Sequence, residues 1–153
     1  MIILDDEIKQ WIYRYIDAYH IVTRRINARI RESIDEGLTS EQFQILRLID
    51  GQPRCTSTYL SEALCVGKSS ITAMINRLAE AGIIERTRDE HDRRLVYLTI
   101  TEYGRSIYET AEEKVLEVIS PYLMNFKKDK VEQFITMFER LSKLMQEPGG
   151  RNE

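Results

Sequence analysis

The sequence is poor in the residues that usually carry chemistry. It holds two cysteines, two histidines, one tryptophan and seven glycines in 153 residues. Cys55 and Cys65 alone make no disulfide framework. His20 and His91 stand far from each other and from the cysteines, with no metal-ligand spacing, so neither a metal nor a cofactor is expected. The glycines fall at expected helix ends and turns, and no G-x-x-x-x-G-K-[ST] loop is present to cradle a phosphate. No nucleophile assembles with a base, and the chain is not expected to be an enzyme. No apolar run is long enough to span a bilayer. Met1-Ile-Ile-Leu4 leads straight into Asp5-Asp-Glu7, unlike a signal peptide, so a cytoplasmic location is expected.

What is present is 42% hydrophobic and 31% charged, with a net charge of −3. That length and balance suit one integrated domain. A negative total argues only weakly against a nucleic-acid partner, because distribution matters more than the sum. Between Gly67 and Arg94 the basic residues are Lys68, Arg77, Arg86, Arg88, Arg93 and Arg94; the acidic ones are Glu80, Glu85, Asp89, Glu90 and Asp92. Six against five implies a narrow basic strip rather than a basic domain.

The informative stretch runs from Ser57 to Thr101. Ser57 or Thr58 can cap a short helix that places Leu60 and Leu64 on one face. Cys65-Val-Gly67 is long enough only for a turn. The next helix, Lys68 to Ala81, is closed by Gly82. Its apolar face is Ile71, Met74 or Ile75, and Leu78. Its other face carries Lys68, Ser69, Ser70, Thr72, Ala73, Asn76 and Arg77, short polar groups that let a helix approach DNA closely. Two helices joined in this way form a helix-turn-helix, whose second helix fits a major groove. Ile83–Thr87 and Arg94–Ile100 then alternate as strands around the charged tip Arg88–Arg93. A hairpin in that place is a wing. Arg93 and Arg94 at its tip suit the negative potential of a narrow minor groove, and Asp92 stands close enough to hold an arginine in one rotamer.

Leu64-Cys-Val-Gly-Lys-Ser-Ser-Ile-Thr72, Arg77-Leu-Ala-Glu-Ala-Gly-Ile-Ile-Glu-Arg86, Asp92-Arg-Arg94 and Thr99-Ile-Thr-Glu-Tyr-Gly104 together resemble the winged-helix pattern of the MarR (multiple antibiotic resistance regulator) family. The resemblance extends over nearly the whole chain. It implies a mainly α protein with a small β-hairpin wing, a winged helix-turn-helix flanked by N- and C-terminal dimerisation helices. It also implies a sequence-specific transcriptional regulator, most commonly a repressor, bound to double-stranded DNA at a pseudo-palindromic operator. Lys68, Ser69, Ser70, Thr72 and Arg77 would face the major groove, and Arg93 and Arg94 the minor groove with Asp92 orienting them. Ala73 stands where many relatives carry a long side chain, which shifts weight onto those residues.

The rest of the chain reads as scaffold. Ile8, Trp11, Ile12, Tyr15, Ile16, Tyr19, Val22, Ile26 and Ile30 keep a helical period from about Asp5 to Asp35, ended by Gly37. Thr39-Ser-Glu-Gln42 is a capping box for a helix bearing Phe43, Leu46 and Ile49 and ending at Gly51. Gln52–Thr56 is a loop with room for a short strand pairing with the wing. Thr101 can cap a helix that Pro121 is expected to kink or break. Asp129-Lys-Val-Glu132 reads as a second capping box, opening a helix with Val131, Phe134, Ile135, Phe138, Leu141 and Leu144. The expected division is a dimerisation helix over 1–36, the winged region over 38–101, dimerisation helices over 102–146 and a disordered tail over 147–153. The terminal stripes need more burial than one small domain supplies, so a homodimer is expected.

For the signal, the resemblance implies a cleft for a small aromatic effector between the dimer helices and the winged region. Trp11, Tyr15, Tyr19, His20, Arg24 and Phe43 are the candidates for its lining, although aromatics at helical spacing are more often core. Two alternatives stay open. Cys65, in the turn before the second helix, and Cys55 offer a redox sensor, provided their Cα atoms lie within about 7 Å for a disulfide. A winged-helix protein-interaction module without DNA binding is the other.

Overall fold

The computed structural model describes residues 5–33 and 38–147. The elements in order are α1 (Asp6–Ser33), α2 (Ser40–Gly51), α3 (Ser57–Leu64), α4 (Lys68–Glu80), β1 (Ile84–Arg88), β2 (Val96–Ile100), α5 (Glu102–Leu123) and α6 (Lys128–Gln146). The chain clusters into two units, Met1–Val118 and Ile119–Glu153. The expected stop at Gly37, and the expected tail over 147–153 apart from Glu147, lie outside the described residues.

In the first unit, α2 to β2 pack into one core. Ile45, Leu46, Leu60, Ile71, Leu78 and Cys55 are fully buried, joined by Ile49, Ile75, Ile84 and Leu98. On α4 these positions recur every three or four residues, and each strand turns one residue, Ile84 or Leu98, into the same core. On α4 it is Ile75 that completes the apolar face, and Met74 is only half-buried. The capping box at α2 forms as the sequence implies: Gln42 N–H donates to Thr39 Oγ1 (3.1 Å) and Thr39 N–H to Gln42 Oε1 (3.0 Å).

Three local expectations are corrected. The cap of α3 is Thr56, whose Oγ1 accepts from Tyr59 N–H at 3.1 Å; Ser57 is already helical. Cys55, one residue earlier, is pinned by a bridge to Leu98, which sets where the helix can begin. Of the kink or break expected at Pro121, the break is excluded, because α5 runs through the proline to Leu123. Proline removes one donor, and Asn125 Nδ2 donates to the Pro121 carbonyl (2.9 Å) just beyond the helix end. The N-cap of α6 is Lys127, with no side-chain cap bond, so Asp129 sits inside the first turn, where its charge suits the positive helix end.

The wing is an antiparallel pair with Ile84 opposite Ile100, Arg86 opposite Leu98 and Arg88 opposite Val96. The first strand lies one residue later than the expected Ile83–Thr87, and the second begins at Val96 instead of Arg94, which leaves the tip as Asp89–Leu95. Leu98 N–H donates to the Cys55 carbonyl at 2.8 Å, so the loop before α3 becomes a one-residue third strand.

The junction from α4 through the wing into α5 is tightly specified. Gly82 turns the chain at φ 74°, a left-handed conformation that disfavours side chains. Thr101 donates its N–H to Ile83 O (3.0 Å) and its hydroxyl to Gly82 O (2.6 Å), while its Oγ1 accepts from Gly104 N–H (2.9 Å). A Cβ placed on Gly104 would collide with the Ile83 carbonyl group.

Farther along α5, Tyr108 is buried against Phe43, with ring centroids 5.6 Å apart. Burial, then its bond to Glu112, pushes its phenol up to about 12. Helix α1 buries only Ile30 among its described residues. In the second unit α6 buries none of its residues; Phe134, Ile135, Phe138 and Leu141 stand exposed along one stripe, with the Phe134 and Phe138 rings stacked at 5.7 Å. Among the described residues no helix is long and apolar enough to cross a membrane.

Gly104→Ala is expected to destabilise the fold by about 2–3 kcal/mol, because a methyl group there forces α5 off the Ile83 backbone. Chemical denaturation checks this. A variant as stable as the parent would mean that α5 seats elsewhere.

Candidate nucleic-acid interface

Helix α4 presents Lys68, Ser69, Ser70, Thr72, Ala73, Asn76 and Arg77 to solvent, all exposed, while Ile71, Ile75 and Leu78 are buried behind them. Its N-cap is Gly67, which supplies no side-chain acceptor, so the first-turn amides are left for an outside partner. Thr72 donates its hydroxyl hydrogen back to Lys68 O at 2.8 Å. In that rotamer it offers an acceptor outward, not a donor.

Arg93 and Arg94 are exposed at the end of the hairpin. Asp92 Oδ1 accepts from both Arg94 N–H (3.1 Å) and Arg94 Nε (3.3 Å). The ion pair is open to solvent and therefore adds little stability. Its effect is geometric, because it limits the guanidinium to one side of the tip. Among the described residues Arg93, which follows Asp92 directly, makes no bond of this kind.

The structure also brings in residues that the pattern of the sequence did not single out. Arg86 donates to Asn76 Oδ1, tying the first wing strand to the middle of α4. Strand periodicity carries the signal: Arg86 lies two residues from buried Ile84 and opposite buried Leu98, so it shares their face and reaches the helix. On the other face, Asp89 Oδ1 accepts from His91 N–H (2.8 Å) and Asp92 N–H (2.9 Å), and Asp89 Oδ2 accepts from Tyr97 Oη (3.1 Å). These bonds, the backbone one from Asp92 first, hold the Asp89 carboxyl below the usual range. The Arg54 guanidinium lies 5.7 Å from the centre of the Tyr97 ring. An aspartate accepting from amides two and three residues on is an Asx-type turn, and Asp89 opening a charged tip is the signal for it.

The candidate effector residues are placed differently. Trp11, Tyr15 and Tyr19 are about half exposed along α1, and His20 and Arg24 are exposed too. Tyr15 stacks on Tyr19 and Tyr19 meets His20 edge-on, both with centroids 5.9 Å apart. Phe43 is instead a core residue, stacked on Tyr108. The two cysteines also differ. Cys55 is fully buried, and burial pushes its thiol up to about 11. At pH 7 it is therefore held as the neutral thiol, the unreactive form. Cys65 is exposed, in a left-handed conformation at φ 51° that ends α3. Both are free thiols. Among the described residues no cluster of His, Cys, Asp and Glu could hold a metal ion.

Residues 38–96 match the MarR family. Along most of its length the chain is also 30% identical to an uncharacterized HTH-type transcriptional regulator, YpoP, of Bacillus subtilis (strain 168), over 134 residues that cover 88% of this chain and 95% of that protein. This chain belongs to the MarR family. A second relative, the homoprotocatechuate degradative operon repressor of Escherichia coli, is 24% identical over 102 residues, covering 67% of this chain and 69% of its own length. Among solved structures, a mutant MarR from E. coli complexed with operator DNA superposes with a TM-score of 0.74 at 23% identity, covering 85% of this chain and 94% of that one. The winged-helix fold is thus that of the MarR family, and the chain is a MarR-family transcriptional regulator.

The different burial of the two cysteines predicts stepwise labelling. Cys65 should react promptly with a thiol reagent in the native protein, and Cys55 only on unfolding. Release of both equivalents together under native conditions would contradict the burial of Cys55.

Proposed function

We propose that this chain is a cytoplasmic, homodimeric repressor that binds a pseudo-palindromic DNA operator. Helix α4 enters the major groove with Lys68, Ser69, Ser70, Thr72 and Arg77 toward the DNA. Arg93 and Arg94 follow the adjacent minor groove, with Asp92 holding Arg94. The observation that carries this reading is the pairing of Asp92 with Arg94 at the tip of a hairpin on the same core as the open polar face of α4. A guanidinium fixed at a protruding tip suits the electronegative minor groove. The family supports the same reading, and one relative is named as an operon repressor.

Dimerisation is supported by the uncovered stripes. Ile8, Trp11, Ile12, Tyr15, Ile16 and Tyr19 on α1 stand open in a single chain, as do Phe134, Ile135, Phe138, Leu141 and Leu144 on α6. A second copy covers such faces at least cost, because a two-fold axis presents the same stripes to each other. Two copies of α4 would then address major grooves about one helical turn apart, which makes the operator pseudo-palindromic. Release by a small aromatic effector belongs to this proposal, with Trp11, Tyr15, Tyr19, His20 and Arg24 as the open aromatic and polar groups. Binding would favour one of two dimer states. For a redox signal, exposed Cys65 is the better first reactant and buried Cys55 the poorer.

Arg94→Ala is expected to weaken binding about tenfold at every sequence, with the dimer intact by sedimentation. Gel shifts over a salt series check this, and unchanged affinity would remove the wing from the interface. Ser70→Ala is expected to alter preference among sequences more than affinity for mixed-sequence duplex. Equal losses on both would make Ser70 a phosphate contact.

A further inference from the structure

The wing tip carries three carboxylates, Asp89, Glu90 and Asp92, among the arginines meant for DNA. Near a phosphate backbone each adds repulsion. Asp92 has its explanation in Arg94. Asp89 touches no arginine through a hydrogen bond, yet its carboxylate makes more bonds than any other at the tip. One oxygen accepts from the amides of His91 and Asp92, and the other from Tyr97 Oη. Asp92, whose amide is held in this way, accepts in turn from the N–H and Nε of Arg94. The ladder closes between these turns, with Asp89 N–H donating to Leu95 O and Leu95 N–H to Asp92 O, both at 3.0 Å. The tip is therefore two successive aspartate-capped turns, the first setting the position of the second. Tyr97, which anchors the first, lies beside Leu98, whose amide is bonded to Cys55. Glu90, inside the first turn, makes no side-chain hydrogen bond or ion pair among the described residues.

We propose that Asp89 is the positioning residue of the wing: it anchors the tip to Tyr97 and fixes Asp92, and through Asp92 it aims Arg94 at the DNA. This rests on the reading of Arg94 as a DNA contact. It reverses the sign expected from charge alone, because removing the Asp89 carboxylate weakens DNA binding although the protein becomes more positive.

The test is fluorescence anisotropy of the intact dimer on a labelled, mixed-sequence duplex containing an A-tract. Asp89→Ala is expected to weaken binding about 5- to 10-fold, the scale of a lost capping interaction. Asp89→Asn, which keeps an oxygen for the two amides, should recover most of the loss. Tyr97→Phe should show a smaller loss, and gives an independent variant that leaves the turn itself intact. Glu90→Ala removes the same charge from the same tip and should bind as well as the parent or more tightly. Asp89→Ala combined with Arg94→Ala should bind no more weakly than Arg94→Ala alone, since Asp89 acts through that arginine. If Arg94→Ala is impaired while Asp89→Ala binds like the parent or better, the positioning role is overturned and the wing reading stands. Additive losses in the double variant overturn it too, by placing Asp89's effect elsewhere. If Arg94→Ala is itself unimpaired, the wing reading fails and the proposal falls with it.

Discussion

The carbonyl end of the Gly82–Ile83 turn is the point on which the winged region depends. Helix α4 ends there in a left-handed glycine, the first wing strand leaves from it, and α5 begins against it. Thr101 binds this turn through its backbone and its hydroxyl while capping α5. Gly104 is needed because the α5 backbone lies directly on Ile83. Three directions of the chain are thus set within a few residues. With α4 and the wing leaving one turn, a polar helix face and a cationic tip are presented by one core.

The electrostatics of that surface are local. The chain is acidic overall, and the stretch from Lys68 to Arg94 is nearly balanced. What distinguishes it is that the two aspartates of its tip are engaged. Asp89 and Asp92 accept backbone and side-chain hydrogen bonds at the tip, while Arg93 and Arg94 stay exposed. Counting charges would rank this wing as neutral. Following its hydrogen bonds shows that the acidic groups shape the loop and the basic groups project from it.

Much of this was legible in the sequence because the signals were local and periodic. The apolar positions of α2, α3 and α4, the box at Thr39, the stop at Gly82 and the cap at Thr101 each follow from a short-range rule, and each is found in the structure. What was missed depended on partners distant in sequence. Thr56 caps α3 because Cys55 is held by Leu98, more than forty residues away. Arg86 reaches Asn76 only once strand and helix are packed. Phe43 sits in the core with Tyr108, whereas the aromatics of α1, identical in pattern, stand open. Periodicity shows that a face is apolar; it does not show what covers it.

The bonds that tie the wing down also limit how it can move. Its second strand is joined to the loop before α3 through Leu98 and Cys55, its first strand to α4 through Arg86 and Asn76, and its base to the Gly82 turn through Thr101. Three attachments on different sides leave no hinge between hairpin and helix. Helix α4 and the wing are therefore held to each other and to the same core. On the reading proposed above, a signal that released DNA would act by shifting helix and hairpin together, like a lever on its mount, since the attachments of the wing oppose bending it away from α4.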